Sequence, residues 1–292
     1  MRRSRLWRTQ LSGDTMTHVQ SRSGGIFVES SGKGEPMLLI PGLGMDHTYY
    51  RLTAPLLGDT FEVHTVDPRG IGQSDKKAPY SVESWAADLG DVIESIGHGP
   101  MHIVGSSLGG GMALALAESR PELVRSLIVV GGFSELDRAA ALNFGLRARL
   151  IQKLGLGNEV ADYMALWTLT RDFINSEEGY AQMKANQQNI RRNSSELYLA
   201  FVEALLAWGR CLPGQENEPK FTTRLSKIKA PTLVVTSDND HLIPPELSKI
   251  VADNIPGAEF KVMRGYGHIL FVEHPRETAA LLKNFVAGLR KS

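Results

Sequence analysis

The sequence is poor in cysteine, in long apolar runs and in net charge, and each scarcity excludes something. Cys211 is the only cysteine in 292 residues, which rules out an intramolecular disulfide framework and any multi-cysteine metal site. No apolar stretch approaches the roughly 20 residues that a membrane-spanning helix needs. The 32 Lys and Arg are matched by 32 Asp and Glu, so the basic excess of a nucleic-acid binder is missing. Neither a phosphate-cradling P-loop, a dinucleotide G-x-G-x-x-G nor an H-E-x-x-H zinc pair occurs, so no cofactor and no metal are expected. With 42% hydrophobic and 22% charged residues, the chain has ordinary globular composition. The expectation is a soluble, cytoplasmic protein, monomer or homodimer, with a small-molecule partner and neither nucleic acid nor membrane.

Arg2, Arg3, Arg5 and Arg8 precede the first acid, Asp14, with no apolar run behind them, which argues against an export signal. Residues 1–15 are expected to be a disordered extension ahead of Met16. The remainder carries 28 basic and 31 acidic residues and is mildly acidic.

From Gly25 onward short apolar runs alternate with helical patterns. Strands are expected at 26–30, 37–40, 61–66, 101–104, 127–130, 232–236 and 260–263. Most are unbroken aliphatic runs, as in strands covered on both faces. Val82, Trp85, Ala86, Leu89, Ile93 and Ile96 recur at helical spacing, with Ser81 placed as the cap. Further helices are expected over 108–119 and from Pro275 to about Arg290. Alternation of this kind predicts an α/β fold with a mostly parallel central sheet flanked by helices. The rhythm lapses over 134–222, where proline is absent until Pro213 and the patterns are helical: Leu142, Leu146, Leu150 and Leu154, then Leu197, Phe201, Leu205 and Trp208. This segment holds 9 of the 21 aromatics and reads as a helical insert placed to roof a site. The expected core is thus 16–133 with 223–292.

Gly105-Ser106-Ser107-Leu108-Gly109 stands directly after one predicted strand and directly before a helix. A nucleophile elbow needs this strand-to-helix turn, with glycines where backbones approach closely, and Ser107 at the helix N-terminus. A serine hydroxyl needs a base. His268, in the loop between the last strand and the last helix, is the best placed of eight histidines, ahead of His241 and His274. The base needs an orienting carboxylate. The loop after 232–236 offers Asp238 and Asp240, of which Asp240 is preferred, since Asp238 is placed to form a turn. The oxyanion requires backbone N–H groups, expected from Leu108 and from Leu43 in Pro41-Gly42-Leu43-Gly44.

Four segments in order carry a resemblance to the α/β-hydrolase superfamily: Pro41-Gly42-Leu43-Gly44, Asp67-Pro68-Arg69-Gly70-Ile71-Gly72-Gln73-Ser74, the elbow at Ser107, and Gly267-His268 with Glu273-His274-Pro275. Within it the chain is similar to the group of 3-oxoadipate enol-lactonases, small carboxylesterases and carbon–carbon bond hydrolases. That resemblance implies Ser107 as nucleophile, Asp240 as acid, His268 as base, Leu43 and Leu108 as oxyanion donors, and a helical cap over 134–222. It departs from the family at Pro41, where many members carry His, and at Leu108, where Met or Gln is frequent.

The leading reading is a cofactor-free serine hydrolase of a carboxylic ester or lactone, acting through an acyl-enzyme on Ser107. Cleavage of a carbon–carbon bond in a vinylogous diketone is the alternative, and a ligand-sensing, non-enzymatic relative is a third reading. An aromatic-rich cap implies a partly apolar substrate. Arg147, Arg149, Arg171, Arg191 and Arg192 are available to bind a substrate carboxylate, with the solvated surface the expected place for each.

Overall fold

The computed structural model describes residues 7–11 and 14–290. Nine strands form one sheet: β1 (Trp7–Leu11), β2 (Asp14–Ser21), β3 (Gly24–Gly32), β4 (Glu35–Ile40), β5 (Phe61–Val66), β6 (Met101–Ser106), β7 (Val124–Val130), β8 (Thr232–Ser237) and β9 (Glu259–Met263). Their spatial order is β1-β2-β3-β5-β4-β6-β7-β8-β9. The pairs from β5 to β9 are parallel, while β1, β2 and β3 join antiparallel at one edge. The α/β expectation holds, and the predicted strands lie within β3 to β9.

The largest difference lies at the N-terminus. Part of the expected disordered extension, Trp7–Leu11, pairs with β2 as an antiparallel strand, and residues 1–6 and 12–13 lie outside the described residues. β2 escapes the sequence reading because its inward positions are Thr17, Val19 and Ser21. One large apolar residue in three leaves the period-2 pattern too faint to read.

The helices are α1 (Ala54–Leu57), α2 (Val82–Ile96), α3 (Leu108–Ser119), α4 (Arg138–Leu154), α5 (Asn158–Thr168), α6 (Arg171–Asn175), α7 (Glu177–Ile190), α8 (Ser195–Trp208), α9 (Pro245–Asn254), α10 (Leu270–Glu273) and α11 (Pro275–Leu289). Ser81 and Ser84 close a reciprocal capping box at the start of α2, satisfying two N–H groups that the helix cannot. α3 is apolar on every side and buried from Leu108 to Ala117. It packs against β6, β7 and α2, so its first turn is held rigidly at the carboxyl end of the sheet.

Helices α4 to α8 lie between β7 and β8 in the chain. The two ends of that insert meet, with the hydroxyls of Ser134 and Thr222 hydrogen-bonded at 2.8 Å. The leucine stripe of α4 is real but faces outward: Leu142 and Leu154 are 67% and 56% exposed. The inward face is Ala140, Asn143, Phe144, Arg147 and Ile151. On α8 the expected face is the buried one, with Phe201, Leu205 and Trp208 in the core.

Polar bonds tie the insert to the sheet. Asn193 Nδ2 donates to the Gly44 carbonyl at 2.9 Å, and Asn189 Nδ2 to Thr48 Oγ1 at 2.8 Å. Trp208 Nε1 donates to the Phe133 carbonyl at 3.3 Å.

Candidate active site

Ser107 joins β6 to α3 with φ 53° and ψ −119°, a strained region for a residue bearing a Cβ. Its N–H is spent on the Val130 carbonyl at 2.9 Å, so neighbouring strands hold the strain in place. The flanking glycines are steric necessities. A Cβ on Gly105 would strike the Gly109 carbonyl, and one on Gly109 would strike the Ile40 carbonyl. The tight turn and the seating of α3 on the end of β4 depend on both.

The loop after β4 lies directly over Ser107: a Cβ on Gly42 would be 3.3 Å from that of Ser107. Leu43 is the second residue of a turn closed by Met45 N–H to the Gly42 carbonyl at 3.2 Å. The turn's own bond leaves the Leu43 N–H unused. Leu108 is the first residue of α3, where an N–H has no intrahelical acceptor and the helix dipole favours negative charge.

The segment Asp67 to Ser74 buttresses this loop. The fully buried Asp67 accepts from both the backbone N–H and Nδ1 of His47, each at 2.7 Å, and from Gln73 N–H at 2.8 Å. Burial lowers the His47 pKa, but the hydrogen bond and charge of Asp67 outweigh it and leave the imidazole raised. Arg69, also buried, pairs with Asp88 at 2.7 Å.

His268 follows β9 and is 3% exposed. Its Nδ1 lies 2.6 Å from Asp240 Oδ2, while Asp240 Oδ1 accepts from the N–H groups of Leu242 and Ile243 at 3.0 and 2.8 Å. An ionised carboxylate only accepts, so Nδ1 carries the proton and Nε2 is the bare base. Gly131, at φ +57°, makes room for the pair, since a Cβ there would sit 3.3 Å from His268 Nδ1. Asp238, the rival acid, is exposed and accepts from Gly265 N–H at 2.6 Å. It stabilises a turn and does not reach His268.

Ser107, Leu43 and His268 line one cavity. The cap supplies its opposite wall through Phe144, Met164, Met183, Ile190 and Tyr198, so the chamber is largely apolar. The sequence-predicted residues therefore converge, with Leu108 directly beneath Ser107 and Asp240 directly behind His268.

Two contributors escaped the sequence reading. Arg147, expected at the surface, is 4% exposed and lines the cavity, whereas the other four cap arginines named above are exposed. The outward leucines of α4 masked its inward face. Glu273 forms a strut: its buried carboxylate accepts from Gly267 N–H at 2.7 Å and from Thr170 N–H in the cap at 2.5 Å. Burial raises the Glu273 pKa, the two N–H donors oppose that, and Asp240 adds to the rise. Replacing Glu273 by Gln substitutes an NH2 for one acceptor and turns it against a backbone N–H. We expect a loss of about 1–3 kcal/mol in stability and a fall in turnover of roughly 10- to 100-fold from misplacement of His268. Urea unfolding together with kcat measures both, and unchanged kcat would refute the strut.

Away from this cavity, Glu62, His64 and His98 bring one ligand atom each within 4.8 Å of the others, the group among the described residues that could hold a cation. None of the helices among the described residues is long and apolar enough to cross a membrane.

Comparison with known proteins agrees with this construction. The chain is 29% identical to a proline iminopeptidase of Lactobacillus helveticus over 279 residues, covering 88% of this chain and 91% of the relative. It is 28% identical to lipase 3 of Moraxella sp. over 290 residues, covering 97% and 84%. The solved enol-lactonase of Burkholderia xenovorans LB400 superposes with a TM-score of 0.81 at 19% identity, covering 92% of this chain and 99% of that one. The family model for the alpha/beta hydrolase fold matches residues 35–275, a span that includes the elbow at Ser107, the Asp240–His268 pair and the whole cap. On that match, and on a sheet and elbow of the same construction, this chain belongs to the α/β-hydrolase family.

Proposed function

We propose that this hydrolase is a serine esterase or lactonase that works through an acyl-enzyme on Ser107. The observation that carries the reading is one cavity holding a strained serine at a helix N-terminus and a histidine whose Nδ1–H is fixed on a buried carboxylate. His268 Nε2 takes the proton of Ser107 Oγ as that oxygen bonds to the substrate carbonyl carbon. The N–H groups of Leu43 and Leu108 receive the oxyanion. Asp240 stabilises the imidazolium, which then protonates the departing alcohol as the carbonyl re-forms. Water, deprotonated by His268, attacks the acyl carbon, and the serine leaves with the returned proton and the acid product.

The family cleaves amides as well as esters, as the names of the relatives above indicate. Esters and lactones suit this cavity better than a peptide with a free amino terminus. None of the lining residues is Asp or Glu, so a protonated amine would meet no compensating charge. Rapid quenching during turnover of para-nitrophenyl acetate, followed by peptide mass spectrometry, is expected to find one acetyl group on Ser107. Multiple turnover with no acyl group trapped, or acylation elsewhere, would refute the reading. A single turnover would favour the ligand-sensing alternative.

A further inference from the structure

We infer that Glu62, His64 and His98 form a binding site for a divalent first-row transition-metal ion, zinc above all, which clips β5 to the turn between α2 and β6. Glu62 and His64 are two positions apart on β5, so both side chains leave the same face of the strand. His98 reaches that face from the turn after α2. It stands between Gly97 and Gly99, whose φ of 77° and 76° carry the chain round in the left-handed region. The three ligand atoms lie within 4.8 Å of one another. His98 Nδ1 is 2.8 Å from Glu62 Oε2, and His64 Nε2 is 4.0 Å from Glu62 Oε1. A four-coordinate zinc ion, with bonds of about 2.0–2.2 Å, sets its ligand atoms about 3.3 Å apart, so binding asks for movements of about 1–2 Å. The side chains of His98 and Glu62 are 49% and 27% exposed and can supply them, while His64 is the fixed point.

His64 is the residue that marks the site. It is 1% exposed, yet its Nε2 has no hydrogen-bond partner among the described residues. The 4.0 Å to Glu62 Oε1 is beyond hydrogen-bond reach. Nδ1, by contrast, is held 2.7 Å from Ser30 Oγ. With Nδ1–H donated to that hydroxyl, Nε2 presents a bare lone pair on the side of Glu62, which is how metal-bound imidazoles are ordinarily oriented. A buried polar atom left without a partner is costly, and an ion between the three side chains satisfies it. Ser95 Oγ, on the last turn of α2, is a second such atom, and Ser95 lines the same recess as the three ligands. A hydroxyl in that recess suits the water that completes a three-ligand zinc site. Two imidazoles and one carboxylate select zinc and its first-row neighbours over Ca²⁺ and Mg²⁺, which take oxygen ligands. The site stands independently of the reaction proposed above. Through β4, the strand registers set His64 level with Ile103 of β6. Glu62 and His98 lie further towards the amino end of the sheet, whereas Ser107 follows the carboxyl end of β6. The ion therefore holds structure and takes no part in chemistry at Ser107.

Untagged protein, stripped with EDTA and titrated with Zn²⁺ and with Co²⁺, tests the site. We expect one ion per chain with a dissociation constant below about 0.1 mM, and the visible absorption of Co²⁺ in four- or five-fold coordination. Zn²⁺ at a hundredfold excess over its dissociation constant should raise the melting temperature by about 3–8 °C, and the same concentration of Ca²⁺ or Mg²⁺ should not. The variants are His98→Ala and Glu62→Gln, which change the two more exposed ligands and keep the buried His64. Their metal-free forms should melt within about 2 °C of the parent. Each should weaken binding about 30-fold or more, remove most of the rise in melting temperature and lose the Co²⁺ band. Binding weaker than about 0.1 mM in the parent would overturn the site. So would a rise that Ca²⁺ or Mg²⁺ reproduces. A stoichiometric ion retained in both variants would lie elsewhere, on His268 for instance, and would overturn it equally.

Discussion

Replacing Ser107 by Ala should lower kcat for a para-nitrophenyl ester by about 10⁴- to 10⁶-fold. The proposed nucleophile has no neighbouring hydroxyl activated in its place. Ser106, the neighbouring hydroxyl, lies 3.2 Å from Tyr49 Oη, and burial drives the Tyr49 pKa well up, so that pair supplies no base. Alanine keeps a Cβ at the strained φ of 53°, so the variant retains the strain along with the fold and loses only the hydroxyl. Stability is therefore expected within about 1 kcal/mol of the parent. Steady-state kinetics with an active-site titration, alongside thermal unfolding, measures both. A variant that still turned over the ester at a tenth of the parent rate would dismiss Ser107 as the nucleophile.

Asp240→Asn should cost roughly 10⁴-fold in kcat, for a reason visible in its hydrogen bonds. Oδ1 accepts from two backbone N–H groups, those of Leu242 and Ile243. An asparagine keeps its amide oxygen there, because the reverse orientation would set NH2 against both donors. The amide NH2 then faces His268 Nδ1, where Oδ2 now sits at 2.6 Å. Facing a donor, Nδ1 must become the acceptor, so the ring proton moves to Nε2 and points towards the serine. The base is then occupied in its neutral form. The control is Asp238→Asn, which alters an exposed turn carboxylate and should leave kcat within about twofold, as surface changes usually do. If Asp238→Asn lost activity as Asp240→Asn is expected to, the assignment of the acid would have to move.

Much of this construction is legible in one dimension because it is built from local rules. Strands β4, β6, β7 and β8 announce themselves by unbroken aliphatic runs, since sheets covered on both faces need apolar residues at consecutive positions, whereas β5 and β9 carry polar residues within their runs. Composition and Pro121 predict a helix over 108–119, and α3 spans Leu108–Ser119. Ser107 and His268 stand out because a strand-to-helix elbow and a loop after the last strand are positions along the chain. Asp238 and Asp240 could only be ranked. They are two residues apart on one loop, and which of them turns towards His268 depends on how that loop folds over β8 and β9.

The antiparallel edge was illegible for the opposite reason. β2 turns Thr17, Val19 and Ser21 inward, and one strand in from the sheet's edge small polar residues suffice. α4 misled because the eye follows leucines. Its outward stripe is richer in Leu than its inward face, where Asn143, Phe144 and Arg147 meet the cavity. In the sequence Glu273 is one residue of a Glu-His-Pro segment, and the bond that ties it to the cap spans 103 residues to Thr170.

By itself, the sequence determined the fold class, the insert and the residues able to form a nucleophile, a base and an oxyanion hole. These depend on pattern and order along the chain. The tertiary structure alone decided which acid orients His268, what clamps its loop to the cap, and which of the cap's arginines is buried. Each of these is a matter of distance, burial and charge compensation between residues remote in sequence, and no local pattern encodes them.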